Sequence, residues 1–221
     1  MLRIFDLQWY NGQDSNYAKD RRKGMNIQKL FQRIAQLIVN TLVPYKSADV
    51  QYYSQYNLKY FFKPYGQEHA GVSACGPFTC AMVASSLLKK KIDPVETMKW
   101  SVDHGYYAYK KGSYHTLIPR YSEAMGFICV DLGHDVDELK NRLESRTSLA
   151  ILLCKEKIFA SGRHFVVAGI EDGYFKIYNS CGVLDCYKKF TVQQIKDALA
   201  VENVSIGPIW WIAKEESVLG E

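Results

Sequence analysis

The sequence predicts an α+β fold, a helical front half packed against an antiparallel sheet formed by the back half, on three observations. Up to about Leu143 the apolar residues mostly recur at helical spacing behind residues that cap helices. From Leu149 onward they come in β-branched and aromatic runs of five to eight residues. A Gly-containing turn signal divides two of those runs, and no internal repeat or low-complexity tract interrupts the order. Helices and strands segregated in this way predict two layers that face each other across a groove.

Taken in order, the first element is an amphipathic helix. Asn26 is its expected N-cap, and Ile27, Leu30, Phe31, Ile34, Leu37, Ile38 and Leu42 mark one face. Pro44 ends it, and a polar link from Lys46 to Asp49 leads into a Tyr-rich stretch, Tyr52 to Tyr65, without helical periodicity. A boundary near residue 48 follows, with 1–48 an N-terminal extension and 49–221 the main domain. The extension's helix either packs on that domain or docks a partner.

After Cys75-Gly76-Pro77 the run Phe78 to Leu88 is small and apolar and closes on Lys89-Lys90-Lys91, the pattern of a buried helix with Pro in its first turn and cations at its end. Asp93-Pro94-Val95-Glu96 starts a helix that runs to about Val102, and another is expected from Thr116 to Met125. Phe127 to Leu132 is a strand, and Asp135 with Glu138 caps a helix through Leu143. The later strands are Leu149 to Cys154, His164 to Ile170, Tyr174 to Asn179, Val183 to Phe190 and Ile206 to Ala213. Asp172-Gly173 turns the second into the third, and Thr191 to Leu199 is a short helix before the last.

Composition narrows the classes. At 221 residues the chain holds one substantial domain with room for an extension. Apolar residues at 48% and charged ones at 23%, with Gly 15 and Pro 6, exclude disordered and collagenous chains. No apolar stretch reaches the roughly 20 residues of a membrane helix, because Gln28, Lys29, Gln32, Arg33 and Gln36 interrupt the best candidate. The formal charge of +5 sits at the front: residues 1–50 hold 8 basic and 4 acidic side chains, and residues 51–221 hold 20 and 19. The main domain therefore offers no basic stripe for nucleic acid, and the run Lys19, Arg21, Arg22, Lys23 reads as solvated. Met1 to Tyr10 precede no apolar h-region, so no signal peptide is expected and the default compartment is cytoplasmic. The six cysteines then read as thiols rather than disulfides.

A thiol of ordinary pKa, about 8.5, needs help to act as a nucleophile near neutral pH. Cys75 sits just ahead of a helix start, where unpaired N–H groups stabilise negative charge. Gly76 permits close approach and Pro77 gives up an N–H that a helix start does not use. Read alone, such a Cys is more often just a small core residue. A neighbouring imidazole would distinguish the two. His69, His104, His115 and His134 lie in loops or at helix starts and read as solvated, whereas His164 opens a strand at the rim of the sheet. The Asp172-Gly173 hairpin brings Asn179 beside His164 as the group that would fix its tautomer. An amide to hold an oxyanion would come from Gln55 or Gln67.

The order Gln, Cys-Gly-Pro, His-Phe-Val-Val and Asn resembles the papain-like cysteine peptidases, and within them the C39-like family related to bacteriocin-processing double-glycine peptidases. Tyr52-Tyr53-Ser54-Gln55 resembles that family's strand ending in the oxyanion Gln. Ala74-Cys75-Gly76-Pro77 with Ala81-Met82-Val83 resembles its nucleophile helix, and Gly162-Arg163-His164-Phe165-Val166-Val167 its His strand. The resemblance spans about residues 50–213, with spacings of 20, 89 and 15 residues between Gln55, Cys75, His164 and Asn179. It implies a papain-like fold and a hydrolase that cleaves a peptide or amide bond of a peptide or protein substrate through a Cys thioester, with no cofactor and no metal. Cys75 would be the nucleophile, His164 the general base and acid, Asn179 the orienting residue and Gln55 the oxyanion donor. Two features depart from the pattern. Many relatives carry Asp-Pro where this chain has Asn179-Ser180, and the gap from Gln to Cys is longer than the family's for either Gln55 or Gln67, Gln55 being favoured by its context.

Three rivals compete. Cys75/Cys80 and Cys181/Cys186 suggest structural zinc. Five residues along a helix turn Cys80 by about 500°, well away from Cys75, which leaves Cys80, Cys129 and Cys154 as core residues. Cys181 and Cys186 are then strand or turn thiols that could pair in an oxidising compartment. Amidases and transglutaminase-like acyl transferases share the first half-reaction with a peptidase. An inactive peptide-binding module would keep the fold alone.

Overall fold

The structure is a computed structural model that describes residues 27–201 and 206–215. The predicted cap Asn26 and the basic run from Lys19 to Lys23 lie outside the described residues. The chain divides into two compact units, Met1–Ala35 and Gln36–Glu221. The boundary expected near residue 48 falls inside the second. What is described of the first is the opening of helix α1 (Ile27–Leu42), where Leu30, Phe31 and Ile34 are exposed. The rest of α1 belongs to the second unit.

In the second unit a short helix α2 (Leu58–Phe61) begins on Asn57, whose side chain accepts from the Lys59 N–H. A two-residue hairpin, β1 (Pro64–Tyr65) and β2 (Glu68–His69), leads into α3 (Ala70–Ser73). Helix α4 (Cys75–Leu88) is buried from Gly76 to Leu87, as its small and apolar composition requires. It ends on Lys89 in the left-handed conformation, whose N–H closes on the carbonyls of Ser85 and Ser86. Helix α5 (Pro94–Asp103) starts with Asp93 as N-cap and Pro in its first turn. A second small hairpin, β3 (Tyr107–Ala108) and β4 (Gly112–Ser113), precedes α6 (Leu117–Ala124).

The back half is one antiparallel sheet. Its strands are β5 (Phe127–Gly133), β6 (Ser148–Cys154), β7 (His164–Glu171), β8 (Tyr174–Tyr178) and β9 (Ile209–Lys214), in the order β5-β9-β6-β7-β8. Helix α7 (Val136–Leu143) lies between β5 and β6 in sequence, and α8 (Val192–Ala198) between β8 and β9. Strand β6 lies in the middle and is buried along its whole length, which explains its uninterrupted apolar run.

Alternate residues of the central strands feed two cores. Leu149, Ile151, Leu153, Phe165, Val167, Trp210 and Ile212 pack with α4 and α6. Ala150, Leu152, Val166, Ala168, Ile209 and Trp211 pack on the other face with α7 and α8. A fully buried pair such as Ile151 and Leu152 contributes about 2 kcal/mol per side chain, one to each core. The expected two layers are thus three, because α7 and α8 cover the face that a two-layer arrangement would leave open.

Two further expectations are corrected. Val183 to Phe190 is not a strand: a 3-10 helix spans Val183–Tyr187, and only Phe190 bridges to Phe175. Gly182 and Asp185 impose the turn, since the Asp185 N–H donates to the Gly182 carbonyl. Tyr52 to Gln55 is likewise not a strand. Its backbone pairs instead with a loop, the Gln55 N–H donating to the Ser180 carbonyl at 2.9 Å.

Candidate functional site

The hairpin at Asp172-Gly173 positions the first pair of side chains. Both turn residues have positive φ, 51° and 78°, as the tight turn between β7 and β8 requires. The register pairs Val167 with Tyr178. Carried one step past the end of β8, it sets Asn179 diagonal to His164. The two meet there, with His164 Nε2 and Asn179 Oδ1 2.8 Å apart.

The neighbours of Asn179 decide how that contact is made. Its Nδ2 lies 2.9 Å from the Phe159 carbonyl and 2.8 Å from Asp185 Oδ2, two groups that only accept. Its Oδ1 accepts from the Cys181 N–H at 2.9 Å. The amide is therefore fixed with its oxygen toward His164, and His164 Nε2 must be the donor. The imidazole is left with Nδ1 as its lone-pair nitrogen, which is what a general base needs.

Electrostatics keep this imidazole neutral. His164 is buried, and burial lowers its pKa to about 4, against the Asn179 hydrogen bond and the Asp185 charge, which act to raise it. Asp185 also pairs with Lys188 at 2.7 Å. It escaped the sequence reading because its segment reads as a strand.

One thiol lies at this imidazole, and a second lies by Phe165, the next residue of the strand. Cys181 Sγ is 4.0 Å from Nδ1. Cys75, the first residue of α4, is placed by the Phe165 N–H, which donates to its sulfur together with the N–H groups of Gly76 and Cys75 itself. Burial pushes the Cys75 thiol up, and these three N–H groups pull it back down. Burial drives Cys181 well above the usual range, and nearby Cys75 adds to it. Burial thus favours the protonated thiol at both sulfurs. They differ in access, Cys181 being 4% exposed and Cys75 only partly buried.

Gln55 is buried and tied on both ends of its amide. Nε2 donates to the Ala70 carbonyl at 3.1 Å, at the head of the helical turn that runs into Cys75, and Oε1 accepts from Ser180 Oγ at 2.9 Å. One Nε2 hydrogen remains beyond the Ala70 bond. Gln67, in contrast, is exposed in the β1–β2 turn. Of the other histidines, His104 and His134 are exposed, as expected, while His69 and His115 are half-buried. Ring nitrogens of His69, His104 and His134 meet the carbonyls of Phe61, Trp100 and Ala200. His115 packs against Phe165 and Trp210, and burial followed by the Arg163 charge lowers its pKa.

All six cysteines are free thiols. Among the described residues no group of three or more His, Cys, Asp or Glu side chains could hold a metal ion, and no helix is long and apolar enough to cross a membrane.

Comparison with protein families returns no matching family, and comparison with curated proteins returns no match. Among solved structures, the chain is similar to the G161 variant of the Salmonella effector SpvD, with a TM-score of 0.39 and 12% identity over 90% of this chain and 97% of that one. The R161 variant of the same effector gives a TM-score of 0.33 at 12% identity, over 90% and 96%. Likeness at this level carries no assignment of activity.

Proposed function

We propose that the chain is a papain-like, C39-like cysteine peptidase that cleaves a peptide or amide bond through a Cys75 thioester. The observation that carries this reading is the 2.8 Å contact between His164 and Asn179, whose amide orientation leaves Nδ1 as the lone-pair nitrogen. His164 takes the Cys75 proton as the sulfur attacks the carbonyl carbon, and gives it to the departing amine. The Cys75 N–H and the remaining Gln55 hydrogen hold the oxyanion. Water, activated by the same Nδ1, then releases the acyl group. Because thiol and imidazole are both neutral at rest, proton transfer accompanies attack rather than preceding it.

The 4.0 Å contact favours a second reading, with Cys181 as the thiol that reacts. Access favours Cys75, since a substrate carbonyl reaches a partly buried sulfur at a helix start more readily than one 4% exposed. The test is iodoacetamide labelling at pH 7.5 with the adduct located by peptide mass, alongside hydrolysis of a quenched-fluorescent peptide library. One adduct on Cys75 is expected, slowed in His164→Ala, together with a drop of more than about a thousandfold in hydrolysis in Cys75→Ala. Labelling on Cys181 would move the nucleophile there. Hydrolysis that survives Cys75→Ala would end the Cys75 reading.

A further inference from the structure

The loop that carries the orienting Asn179 is not held by the sheet alone. It is gripped from the far side by the last turns of α1, around 140 residues away in sequence. The Gln36 side chain donates to the Cys181 carbonyl at 2.8 Å, and Asn40 Nδ2 donates to the same carbonyl at 3.3 Å. Asn40 Oδ1 accepts from the Val183 N–H at 3.0 Å and from Ser54 Oγ at 3.0 Å. Asn40 is buried, and its second Nδ2 contact, to the Gln36 carbonyl at 2.8 Å, completes the amide's bonding. One side chain therefore joins the segment before Gln55 to both flanks of the turn after Asn179. These are the two pieces that would supply the oxyanion donor and the imidazole's orienter.

We infer that Asn40 is a positioning residue of the proposed cysteine hydrolase site, with Gln36 as its support, and that the end of α1 is part of the site's machinery. The inference rests on the proposed function. The causal chain is short: the Cys181 carbonyl is fixed by Gln36 and Asn40, its N–H is thereby aimed at Asn179 Oδ1, and that oxygen sets the ring of His164. Gln36 and Asn40 are one helical turn apart, so both amides lie on the same side of α1. A truncation that removes α1 would take both away.

The experiment uses the full chain and iodoacetamide, reading the rate of Cys75 labelling between pH 6 and 9 for wild type, Asn40→Ala, His164→Ala and the double variant. Loss of aim in a catalytic pair costs rate steeply with small displacements, so Asn40→Ala is expected to slow labelling about tenfold. The loss should be strongly non-additive with His164→Ala, because both changes act through one imidazole. A purely structural role would give additive losses. Gln36→Ala, at an exposed position of the helix, removes one donor without opening a cavity and is expected to slow labelling about threefold, which keeps the test decisive should Asn40→Ala fail to fold. Wild-type labelling in folded Asn40→Ala or in Gln36→Ala, or additivity with His164→Ala, overturns the inference. Wild-type protein without His164-dependent labelling of Cys75 overturns the proposed function and this inference with it.

Discussion

An amide rather than a carboxylate at position 179 follows from its neighbours. Both Nδ2 hydrogens point at acceptors, the Phe159 carbonyl and the Asp185 carboxylate, at 2.9 and 2.8 Å. In this chain Asn179→Asp would set two carboxylates against each other in a buried site. The variant is expected to lose roughly 3 kcal/mol of stability at pH 7, measured by urea unfolding, since like charges held together in a buried site are costly. Adding Asp185→Asn returns a donor and should recover most of that loss. Wild-type stability in the single variant would show that Asp185 does not face position 179 as described.

At the scale of elements, the turn from Asn179 into the 3-10 helix Val183–Tyr187 sets the site's geometry. A methyl group at Gly182 would stand 2.9 Å from Asp185 Oδ2 and 3.0 Å from Asn179 Nδ2, while the glycine's φ of −149° suits any residue. Gly182→Ala therefore strains the Asn179–Asp185 bond and not the backbone. It is expected to slow iodoacetamide labelling of Cys75 by about tenfold with a thermal midpoint shift of no more than about 4 °C. Wild-type labelling would show that the bond has no bearing on the site. This element also marks where the sequence stopped being legible. The hairpin at Asp172-Gly173, the helix starts at Asp93 and Asp135 and the buried run of α4 are local signals, and with them came the juxtaposition of His164 and Asn179. Val183 to Phe190 mixes β-formers with Asp and Lys, and its conformation is decided by Gly182 and the Asp185 contacts rather than by periodicity. Gln36 and Asn40 could be placed on a helix, but nothing local pairs them with a carbonyl some 140 residues later.

For the molecule as a whole, the buried imidazole ties folding stability to pH. In the folded chain His164 titrates at about 4, held down by burial, whereas an exposed histidine titrates near 6.5. Between those values the unfolded chain takes up the proton and the folded chain does not. The contribution of His164 is therefore fully present above about pH 6.5 and is lost as pH falls toward 4, up to roughly 3 kcal/mol in all. His115 is shifted in the same direction by its own burial and adds to the trend. Urea unfolding at pH 7 and pH 5 should show wild type losing about 2 kcal/mol more than His164→Gln, whose amide can still donate to Asn179 Oδ1. Equal losses would show that His164 is not held neutral by burial. The same neutrality constrains activity. With the base unprotonated down to about pH 4, protonation of His164 sets no acid limit on Cys75 labelling above that value. A fall in labelling there reports either protonation of the Cys75 thiol or loss of the fold, which unfolding measured at the same pH tells apart.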